Sequence, residues 1–425
     1  MAPLATVWSG ATPISFDGMI AARDRLLASM RFQRWAAGFP LTRPIARRRA
    51  RALFDLCAGF VYSQVLLACV RLRLCELLFA SALGREEIAV RLGLRADAAE
   101  RLLDAAISLR LVARRAGGRY GIGPLGAALV GNPGIAAMVE HHALLYADLA
   151  DPVRLLRGAR DAQTAADAAA DAAAADGSAH TALGRYWAYA AAQTPAALPA
   201  GQVAGYTGLM AASQPLVADE VLDAYRIGRH RHLLDVGGGD GSFLCAAAQR
   251  ASRLRLTLFD LPPVAACARA RLAREGFAGR ATVVAGDFLT DPLPRGADII
   301  SLVRIVHDHD DAAALRLLRA VRRALPPGGT LLLAEPMSGT PGAEPVGDAY
   351  FAFYLLAMGS GRPRRPDELA ALLRAAGFDR MRLLRTRQPL LARVMVARAA
   401  LDADPRQAMV ASRVTARLAP SVNDG

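Results

Sequence analysis

The sequence predicts an α/β fold in which a doubly wound sheet follows a mainly helical region. From residue 232 onward, apolar runs typical of buried strands alternate with helical periodicity, which indicates a largely parallel sheet with helices on both faces. Before residue 230, apolar residues recur at helical spacing. The chain has 425 residues, 53% of them hydrophobic, which is enough for two domains with substantial cores.

The N-terminal part of the chain has the order of elements found in a winged helix. Apolar residues recur at helical spacing over residues 53–81. Residues 86–130 predict two short helices and then a hairpin at 111–122 with a Gly-Gly turn. An alanine-rich stretch at 161–183 is interpreted as a low-complexity insertion or a loosely held helix, and residues 214–228 as a connecting helix.

The C-terminal part alternates strands and helices until two final strands follow each other directly. In such sheets, ligands bind at the carboxyl ends of the strands. The expected strands are 232–237, 254–260, 281–286, 297–305, 330–335, 381–388 and 391–398, and the expected helices are 242–251, 263–275, 311–325 and 366–376.

A glycine-rich turn ends the first of these strands. Residues 233–241 read Leu-Leu-Asp-Val-Gly-Gly-Gly-Asp-Gly, and a helix is expected to start at Ser242. Glycine permits positive φ and lets a ligand approach the backbone. The second strand ends at Asp260, where an acid can bind the ribose of a nucleotide or nucleoside. The alternative for the turn alone is a tight strand-helix connection that binds nothing.

The spacing of the glycines bears on which ligand is bound. Dinucleotide-binding turns have the pattern G-x-G-x-x-G, but Ser242 stands at the third glycine position. Gly237, Gly239 and Gly241 instead form G-x-G-x-G. This favours S-adenosylmethionine (SAM) over NAD, because SAM has no pyrophosphate to seat on a helix N-terminus. An acid at the next strand end, Asp287, also argues for a ligand.

A loop with two histidines follows the fourth strand. Methyl transfer from a sulfonium to an alcohol needs the oxygen to lose its proton, and histidine titrates near neutrality, so His307 is the candidate base. Asp308 and Glu335 are candidates to hold its ring and stabilise the imidazolium. The alternative is a polar loop over a helix start with Asp310 as N-cap, and for His309 that alternative is preferred.

The formal net charge of +14 raises the question of an anionic partner. All 52 basic residues are arginine and alanine is abundant, so the charge is interpreted as codon bias. A DNA-binding regulator that uses the winged helix is the alternative from another functional class. Its recognition helix at 96–104 would offer only Arg101 among acidic and apolar residues, whereas base readout needs several polar donors. No nucleic-acid partner is expected.

Cysteine spacing and hydropathy bear on the compartment. The five cysteines form no C-x-x-C pair, which is typical of reduced cytosolic thiols, and no metal is expected because no ligand cluster is apparent. The N-terminus shows no targeting segment. The longest apolar run, Ala58 to Val70, is too short to cross a bilayer. We expect a cytoplasmic protein with peripheral membrane contact.

Taken together, these motifs resemble the plant-type SAM-dependent small-molecule O-methyltransferases, over roughly residues 55–398. Within that family the chain is most similar to the carotenoid O-methyltransferases of purple photosynthetic bacteria, of the hydroxyneurosporene or demethylspheroidene type. The supporting segments are Phe32–Trp35, Gly59–Gln64, His141–Leu149 and Gly359–Arg364, beside Leu-Asp-Val-Gly-Gly-Gly-Asp-Gly, Phe-Asp-Leu-Pro, Gly-Asp-Phe and His-Asp-x-x-Asp.

The resemblance implies a role for each matching residue. His307 would be the general base, with Asp308 and Glu335 as its acidic neighbours. Asp260 would bind the ribose hydroxyls. The positions implied for SAM binding are Asp235, Gly237, Gly239, Asp260, Asp287, Phe288 and Arg304, the last where the family often has lysine.

Two departures from the family pattern concern the base. The tryptophan usual two residues after it is His309 here, and the second flanking glutamate aligns with Pro363. Only one of the two flanking acids is therefore matched, and Asp308 is the candidate to compensate.

The resemblance also implies a substrate and an organisation. The substrate would be an acyclic carotenoid with a tertiary hydroxyl; another apolar molecule, such as a bacteriochlorophyll precursor or a phenolic polyketide, is the alternative. The segment 350–358 would line its pocket or, equally well, form a buried helix or a dimer contact. The basic run 43–51 would rest on anionic head groups or be solvated.

The protein is expected to be a homodimer. Each chain would comprise a helical extension at 1–52, a winged-helix dimerisation and substrate domain at 53–228, a Rossmann-like SAM domain at 229–400 and a tail at 401–425.

Overall fold

The structure is a computed structural model that describes residues 16–157, 181–192 and 195–401. The alanine-rich stretch predicted at 161–183 lies outside the described residues except for its last three positions. The tail predicted at 401–425 lies outside them except for Leu401. The described residues fall into two compact units, and the chain passes from the first to the second between Ala127 and Ala128. Residues 128–228, which the sequence groups with the N-terminal helices, belong to the same unit as the sheet.

The first unit is helical apart from one small hairpin, as the winged-helix pattern predicts. Strands β1 and β2 pair antiparallel, with Val112 opposite Ile122. The turn between them uses Gly117 and Gly118, both at positive φ. Its elements are α1 (Phe16–Ala28), α2 (Met30–Gly38), α3 (Arg43–Arg71), α4 (Leu74–Ala80), α5 (Arg85–Leu92), α6 (Ala96–Ser108), β1 (Val112–Arg114), β2 (Tyr120–Ile122) and, across the boundary, α7 (Pro124–Val130).

Helix α3 is longer than the apolar run read from the sequence. It has 29 residues and, by length and composition alone, is able to span a membrane, which the 13-residue run is not. Its N-terminal half carries the basic run, and large side chains such as Leu53, Phe54 and Leu56 are exposed on it.

The second unit begins with helices and continues as the predicted alternation of strands and helices. Its elements are α8 (Pro133–Asp148), α9 (Pro152–Arg157), α10 (Ala182–Tyr186), α11 (Ala188–Ala191), α12 (Ala200–Ala224), β3 (His232–Val236), α13 (Ser242–Arg250), β4 (Arg255–Asp260), α14 (Pro262–Arg274), β5 (Ala281–Ala285), β6 (Ile299–Val303), α15 (Asp311–Ala324), β7 (Thr330–Glu335), a π-helical turn (Val346–Phe351) with α16 (Ala352–Met358), α17 (Pro366–Ala375), β8 (Phe378–Leu384) and β9 (Arg393–Ala399).

Seven strands of the described residues form one sheet in the order β5-β4-β3-β6-β7-β9-β8. Neighbours from β5 to β7 are parallel, and β9 runs antiparallel between β7 and β8. The chain moves outward from β3 to β5 and then returns to the other side of β3 with β6. This reversal leaves a crevice at the carboxyl ends of β3 and β6, where doubly wound sheets bind ligands.

Apolar side chains cover both faces of the sheet, which is why its central strands read as continuous apolar runs. A third cluster packs α10 and α12 against α16 through Trp187, Tyr206 and Tyr354. The segment 350–358 thus contributes to a buried helix, one of the three outcomes expected for it. Leu355 and Met358 are at most 2% exposed.

Candidate active site

A cavity of about 640 Å³ opens at the carboxyl ends of β3, β4, β5 and β6. Its volume is within the range of about 300–1,000 Å³ typical of small-molecule sites. All seven residues expected to bind the cofactor line it: Asp235, Gly237, Gly239, Asp260, Asp287, Phe288 and Arg304. The structure therefore brings these residues together at one site.

The glycine turn after β3 requires left-handed backbone. Gly237 and Gly239 have φ of +68° and +61°. A Cβ on Gly237 would lie 2.5 Å from Ile305 Cδ1, whereas one on Gly239 would meet no heavy atom within 4 Å. The Gly237 N–H donates to the Phe259 carbonyl at 2.8 Å. The turn is thus fixed by backbone contacts to β4 and leaves open space beside Gly239.

Two buried carboxylates stand behind this turn. Asp260 accepts hydrogen bonds from the Gly239 and Leu261 N–H groups, both at 2.7 Å. Asp235 accepts from the Ser301 hydroxyl at 2.6 Å, but its Oδ2 has no partner in the structure. Burial, which disfavours the charged form, raises the pKa of each carboxyl to about 7. An unpartnered buried acceptor beside an open glycine turn is suited to hydrogen-bond donors of a ligand.

The third strand end contributes Asp287 and Phe288. The Asp287 carboxylate accepts from the Leu289 N–H, and the Asp287 N–H donates to Asp291, both at 2.8 Å. These bonds fix a tight turn that places the Phe288 ring in the cavity wall, edge-on to His309 with centroids 5.4 Å apart. The apolar face of Phe288 is suited to contact a planar ring.

Arg304 lies in the cavity wall but points its guanidinium largely at α12. It adopts φ of +59° directly after β6. Its NH1 donates to the Ser213 hydroxyl at 2.8 Å, its NH2 donates to Gln214, and its Nε has no partner. Burial lowers the pKa of Arg304 to about 10. Arg304 thus ties helix α12 to the end of β6, and its buried Nε–H has no acceptor among the described residues.

The loop that follows β6 carries His307, which is 7% exposed. Its Nδ1 donates to Glu335 Oε2 at the end of β7. The other carboxylate oxygen, Glu335 Oε1, accepts from the Val306 N–H at 2.7 Å and the Ile305 N–H at 3.2 Å. One glutamate therefore fixes both the backbone of the loop and the orientation of the imidazole.

The second ring nitrogen of His307 faces Asp308. The Nε2–Oδ1 distance is 3.2 Å, and Asp308 Oδ2 accepts from the Tyr189 hydroxyl at 2.8 Å. Burial, the largest influence, lowers the pKa of His307, but Asp308 and Glu335 together outweigh it and hold that pKa above its usual value. Asp308 therefore provides a second carboxylate beside the ring, in addition to Glu335.

His307 itself does not line the cavity formed by the described residues; Asp308 and His309 do. Asp308 thus stands between the imidazole and the cavity. Burial lowers the pKa of His309, and its ring packs on Phe288. Among the described residues, no group of three or more His, Cys, Asp or Glu side chains is arranged to hold a metal ion.

Sequence reasoning missed the cavity wall that comes from outside the sheet. Trp187 and Tyr189 precede α12, and Tyr206, Thr207 and Met210 lie on it. The hydroxyls of Tyr206 and Thr207 are buried without a partner. The aromatic run Tyr-Trp-Ala-Tyr at 186–189 is the one local signal that marks this wall, because it interrupts an alanine-rich region.

Comparison with known proteins identifies the family. Residues 182–379 match the family model described as the O-methyltransferase domain, and residues 54–132 match the O-methyltransferase dimerisation domain. The demethylspheroidene O-methyltransferase of Cereibacter sphaeroides is 41% identical over 375 residues, which cover 88% of this chain and 93% of that protein. The chain belongs to the O-methyltransferase family. The family predicted from the motifs is thus confirmed.

Other O-methyltransferases extend the comparison. The demethylspheroidene O-methyltransferase of Rhodobacter capsulatus is 38% identical over 395 residues, which cover 93% of each chain. Among solved structures, LaPhzM matches with a TM-score of 0.64 at 26% identity over 82% of this chain and 99% of its own. Human N-acetylserotonin methyltransferase, solved in complex with SAM, matches in fold with a TM-score of 0.62 at 23% identity over 83% of this chain and 98% of its own.

Proposed function

We propose that this O-methyltransferase transfers the methyl group of SAM to the tertiary hydroxyl of an acyclic hydroxycarotenoid, in carotenoid biosynthesis. Two relatives named demethylspheroidene O-methyltransferase share 41% and 38% of their residues with this chain over 93% of their length, which supports the substrate class. The observation that carries the reaction type is the His307–Glu335 pair, which lies behind Asp308 in the cavity wall.

The residues present fit SAM as the cofactor. The open space beside Gly239 and the unpartnered Asp235 Oδ2 give a nucleoside room and an acceptor. Asp260, which also lines the cavity, would bind the ribose hydroxyls. Asp287 and Phe288 would flank the adenine. When bound, SAM supplies a methyl group on a positively charged sulfur. The carboxylates of this wall favour that positive charge.

His307 is proposed as the general base. Glu335 accepts a hydrogen bond from Nδ1–H, so the neutral imidazole keeps its proton on Nδ1 and its lone pair on Nε2, which faces Asp308. Asp308 lies in the cavity wall, so its carboxylate accepts the hydrogen bond of the substrate hydroxyl and passes the proton to Nε2. The imidazolium then stands between two carboxylates, which stabilise it.

Product analysis tests the substrate class. The enzyme would be incubated with labelled SAM and a panel of hydroxylated acyclic carotenoids, phenols and a bacteriochlorophyll precursor, and product masses would be read. We expect one added methyl group on the carotenoid alcohols. Methylation confined to the phenols or to the bacteriochlorophyll precursor would overturn the substrate but not the reaction type.

Two variants test the base. His307→Ala is expected to lower kcat by about 100-fold or more, the usual contribution of a general base, while calorimetry shows unchanged SAM affinity. Asp308→Asn keeps the size of the side chain but cannot take up the proton, so it should approach the same loss. Turnover of His307→Ala within a few-fold of the parent would mean that proximity alone drives the transfer.

A third variant tests the ribose contact. Asp260→Ala removes the carboxylate that faces both the glycine turn and the cavity, so SAM should bind more weakly. Unchanged calorimetric affinity would refute the ribose role. Because Asp260 also accepts two backbone N–H groups, thermal unfolding without SAM serves as the control for a collapsed turn.

The protein is further proposed to act as a homodimer. Residues 54–132 match a dimerisation domain, and α3 exposes Phe54, Leu56 and Phe60. Large apolar side chains that stand free in one copy are suited to burial against a second. Light scattering should give twice the mass of the chain, and Leu56→Glu with Phe60→Glu should return the mass of one chain.

The N-terminal helices are proposed to contact a membrane surface from the cytoplasm. Residues 30–54 contain seven arginines and no acidic residue. The exposed ring of Trp35 stacks on Phe39 at 5.2 Å beside this charge. Cationic side chains next to exposed aromatic rings favour an interface of anionic lipids, where a carotenoid partitions.

Liposome binding tests this contact. Replacing Arg47, Arg48 and Arg49 by glutamine should weaken binding to anionic vesicles in low salt, and replacing them by lysine should preserve it. Equal binding of the glutamine and lysine variants would reject the electrostatic contact.

A further inference from the structure

Arg364 is a buried arginine that contacts the base loop from a distant part of the chain. It is 2% exposed and lies just before α17, 57 residues after His307. Its NH1 donates to the Val306 carbonyl at 2.9 Å and its NH2 donates to the His309 carbonyl at 2.7 Å. One guanidinium thus bonds to the backbone on both sides of His307.

The charge of Arg364 is balanced at the end of the same loop. Its Nε donates to Asp311 Oδ1 at 2.9 Å, and the NH2–Oδ1 distance is 2.8 Å. Asp311 is the first residue of α15, so the guanidinium joins both ends of the loop between β6 and α15. The buried charge of Arg364 is therefore compensated by one carboxylate and two carbonyl acceptors.

The residues just before Arg364 contact the same loop through their backbone. The Arg362 N–H donates to the His307 carbonyl at 2.9 Å, and the Ser360 hydroxyl donates to the Asp308 carbonyl at 2.8 Å. Segment 360–364 therefore binds the carbonyls of four consecutive residues, Val306 to His309. Glu335 fixes the imidazole from one side, and this segment fixes the backbone from the other.

We propose that Arg364 is a positioning residue for catalysis: it holds the loop so that His307 stays between Glu335 and Asp308. The inference rests on the proposed role of His307 as the base. Arg364 acts through the loop, since it is not among the described residues that line the cavity. Its loss should therefore affect turnover and spare cofactor binding.

Arginine suits this position for a geometric reason. Its planar fork presents several N–H donors at fixed angles, which match one carboxylate and two carbonyls at once. The ammonium of lysine keeps the charge and can bond to one or two of these acceptors. A methionine side chain has similar length but no donor, so it would leave the Val306 and His309 carbonyls buried without a partner.

The experiment compares Arg364→Lys and Arg364→Met with Arg365→Met. Arg365 is the matched control because it is the next residue, its side chain is 63% exposed and it pairs with Asp367 at the surface. Calorimetry with SAM gives the affinity and the fraction of folded sites, and kcat is expressed per SAM-binding site. The carotenoid KM is measured in parallel.

A displaced base loop should lower kcat by about 100-fold in Arg364→Met, because misplacing reacting groups by about 1 Å costs that much. Arg364→Lys should recover part of this loss. The SAM affinity and the carotenoid KM should stay within about three-fold of the parent values, because the contacts that hold both ground state and transition state are unchanged. Arg365→Met should match the parent.

Two results would overturn the inference. One is a kcat per SAM-binding site that equals the parent in Arg364→Lys and Arg364→Met. The other is an equal loss in both, which would assign the effect to structure rather than to donor geometry. If Arg364→Met does not fold, Arg364→Lys against Arg365→Met decides. His307→Ala in the same assay separates the two proposals, since a turnover that survives there refutes the base itself.

Discussion

The glycine turn and the base loop differ in what holds them, although each follows a buried parallel strand. The turn at 237–241 follows β3 and is fixed mainly through its own backbone, which has positive φ at alternate positions and bonds to the Phe259 carbonyl and the Asp260 carboxylate of β4. The loop at 304–311 follows β6 and is fixed by side chains from elsewhere, above all Glu335 and Arg364.

This difference shows where precision in the site comes from. The cofactor turn is encoded in the nine consecutive residues 233–241, because glycine provides the required backbone conformation locally. A general base must be held to a fraction of an ångström, and that requires partners whose own positions are set by packing. Changes in the loop should therefore reduce turnover, and changes in the turn should reduce cofactor binding.

Among changes that leave the side chains of the base and its partners intact, the largest effect is expected for Gly361→Ala. Gly361 has φ of +78°, and a Cβ there would lie 2.2 Å from the His307 carbonyl oxygen, so the base loop must move. We expect kcat to fall by about 100-fold with SAM affinity retained. Gly359→Ala is the matched control, since φ is +90° there and a Cβ would meet nothing within 4 Å. Equal kcat losses in both variants would assign the effect to backbone strain.

Glu335→Gln should have the next largest effect and should also move the pH profile. Glutamine keeps an acceptor for the Val306 N–H but removes the negative charge beside the His307 ring, so the pKa of His307 should fall. Asp308 still raises this pKa in the variant, and burial and Arg304 still lower it. In the parent, kcat should rise with pH through a midpoint above about 6.5, because only the neutral imidazole is a base.

In Glu335→Gln that midpoint should move to lower pH, and the plateau kcat should drop by about 10-fold because the imidazolium is less stabilised. Glu344→Gln, at an exposed position, is the control. A midpoint that stays in place would show that Glu335 orients the ring without tuning its charge.

Gly237→Ala tests the turn in the same way. Alanine at φ of +68° should cost about 1–2 kcal/mol of the free energy of unfolding, and its Cβ would push on Ile305. SAM affinity should fall by up to about 10-fold. The kcat at saturating SAM should fall much less than in Gly361→Ala, because the end of the Ile305 side chain can shift without moving the backbone of the base loop. Gly276→Ala is the control: φ is +77° there and a Cβ would meet nothing within 4 Å, so its loss of unfolding free energy measures backbone strain alone.

Sequence reasoning was most successful where structure is local. The alternation after residue 232 predicted the strands and helices of the sheet, and the strand ends predicted the residues around the cavity. The roles assigned to these residues stay predictions. Tyr189 was missed because its hydrogen bond to Asp308 depends on how helices α10, α11 and α12 pack in the folded chain. Arg364 was missed as a partner of the loop because nothing near position 364 in sequence shows that its carbonyl acceptors lie more than 50 residues earlier.

The last comparison is Asp235→Asn, which removes the charge of a buried carboxylate in β3 just before the turn and should change stability rather than turnover. Burial raises the pKa of Asp235 to about 7 in the folded protein, above the value of about 3.9 in an unfolded chain. The folded state therefore binds this proton more tightly, and the contribution of Asp235 to the free energy of unfolding is lost as pH rises from about 4 to 7. Asparagine cannot ionise, so Asp235→Asn should gain stability relative to the parent between pH 5 and pH 8, measured by urea unfolding without SAM. A difference that does not change with pH would mean that Asp235 ionises in the folded protein without a cost in stability.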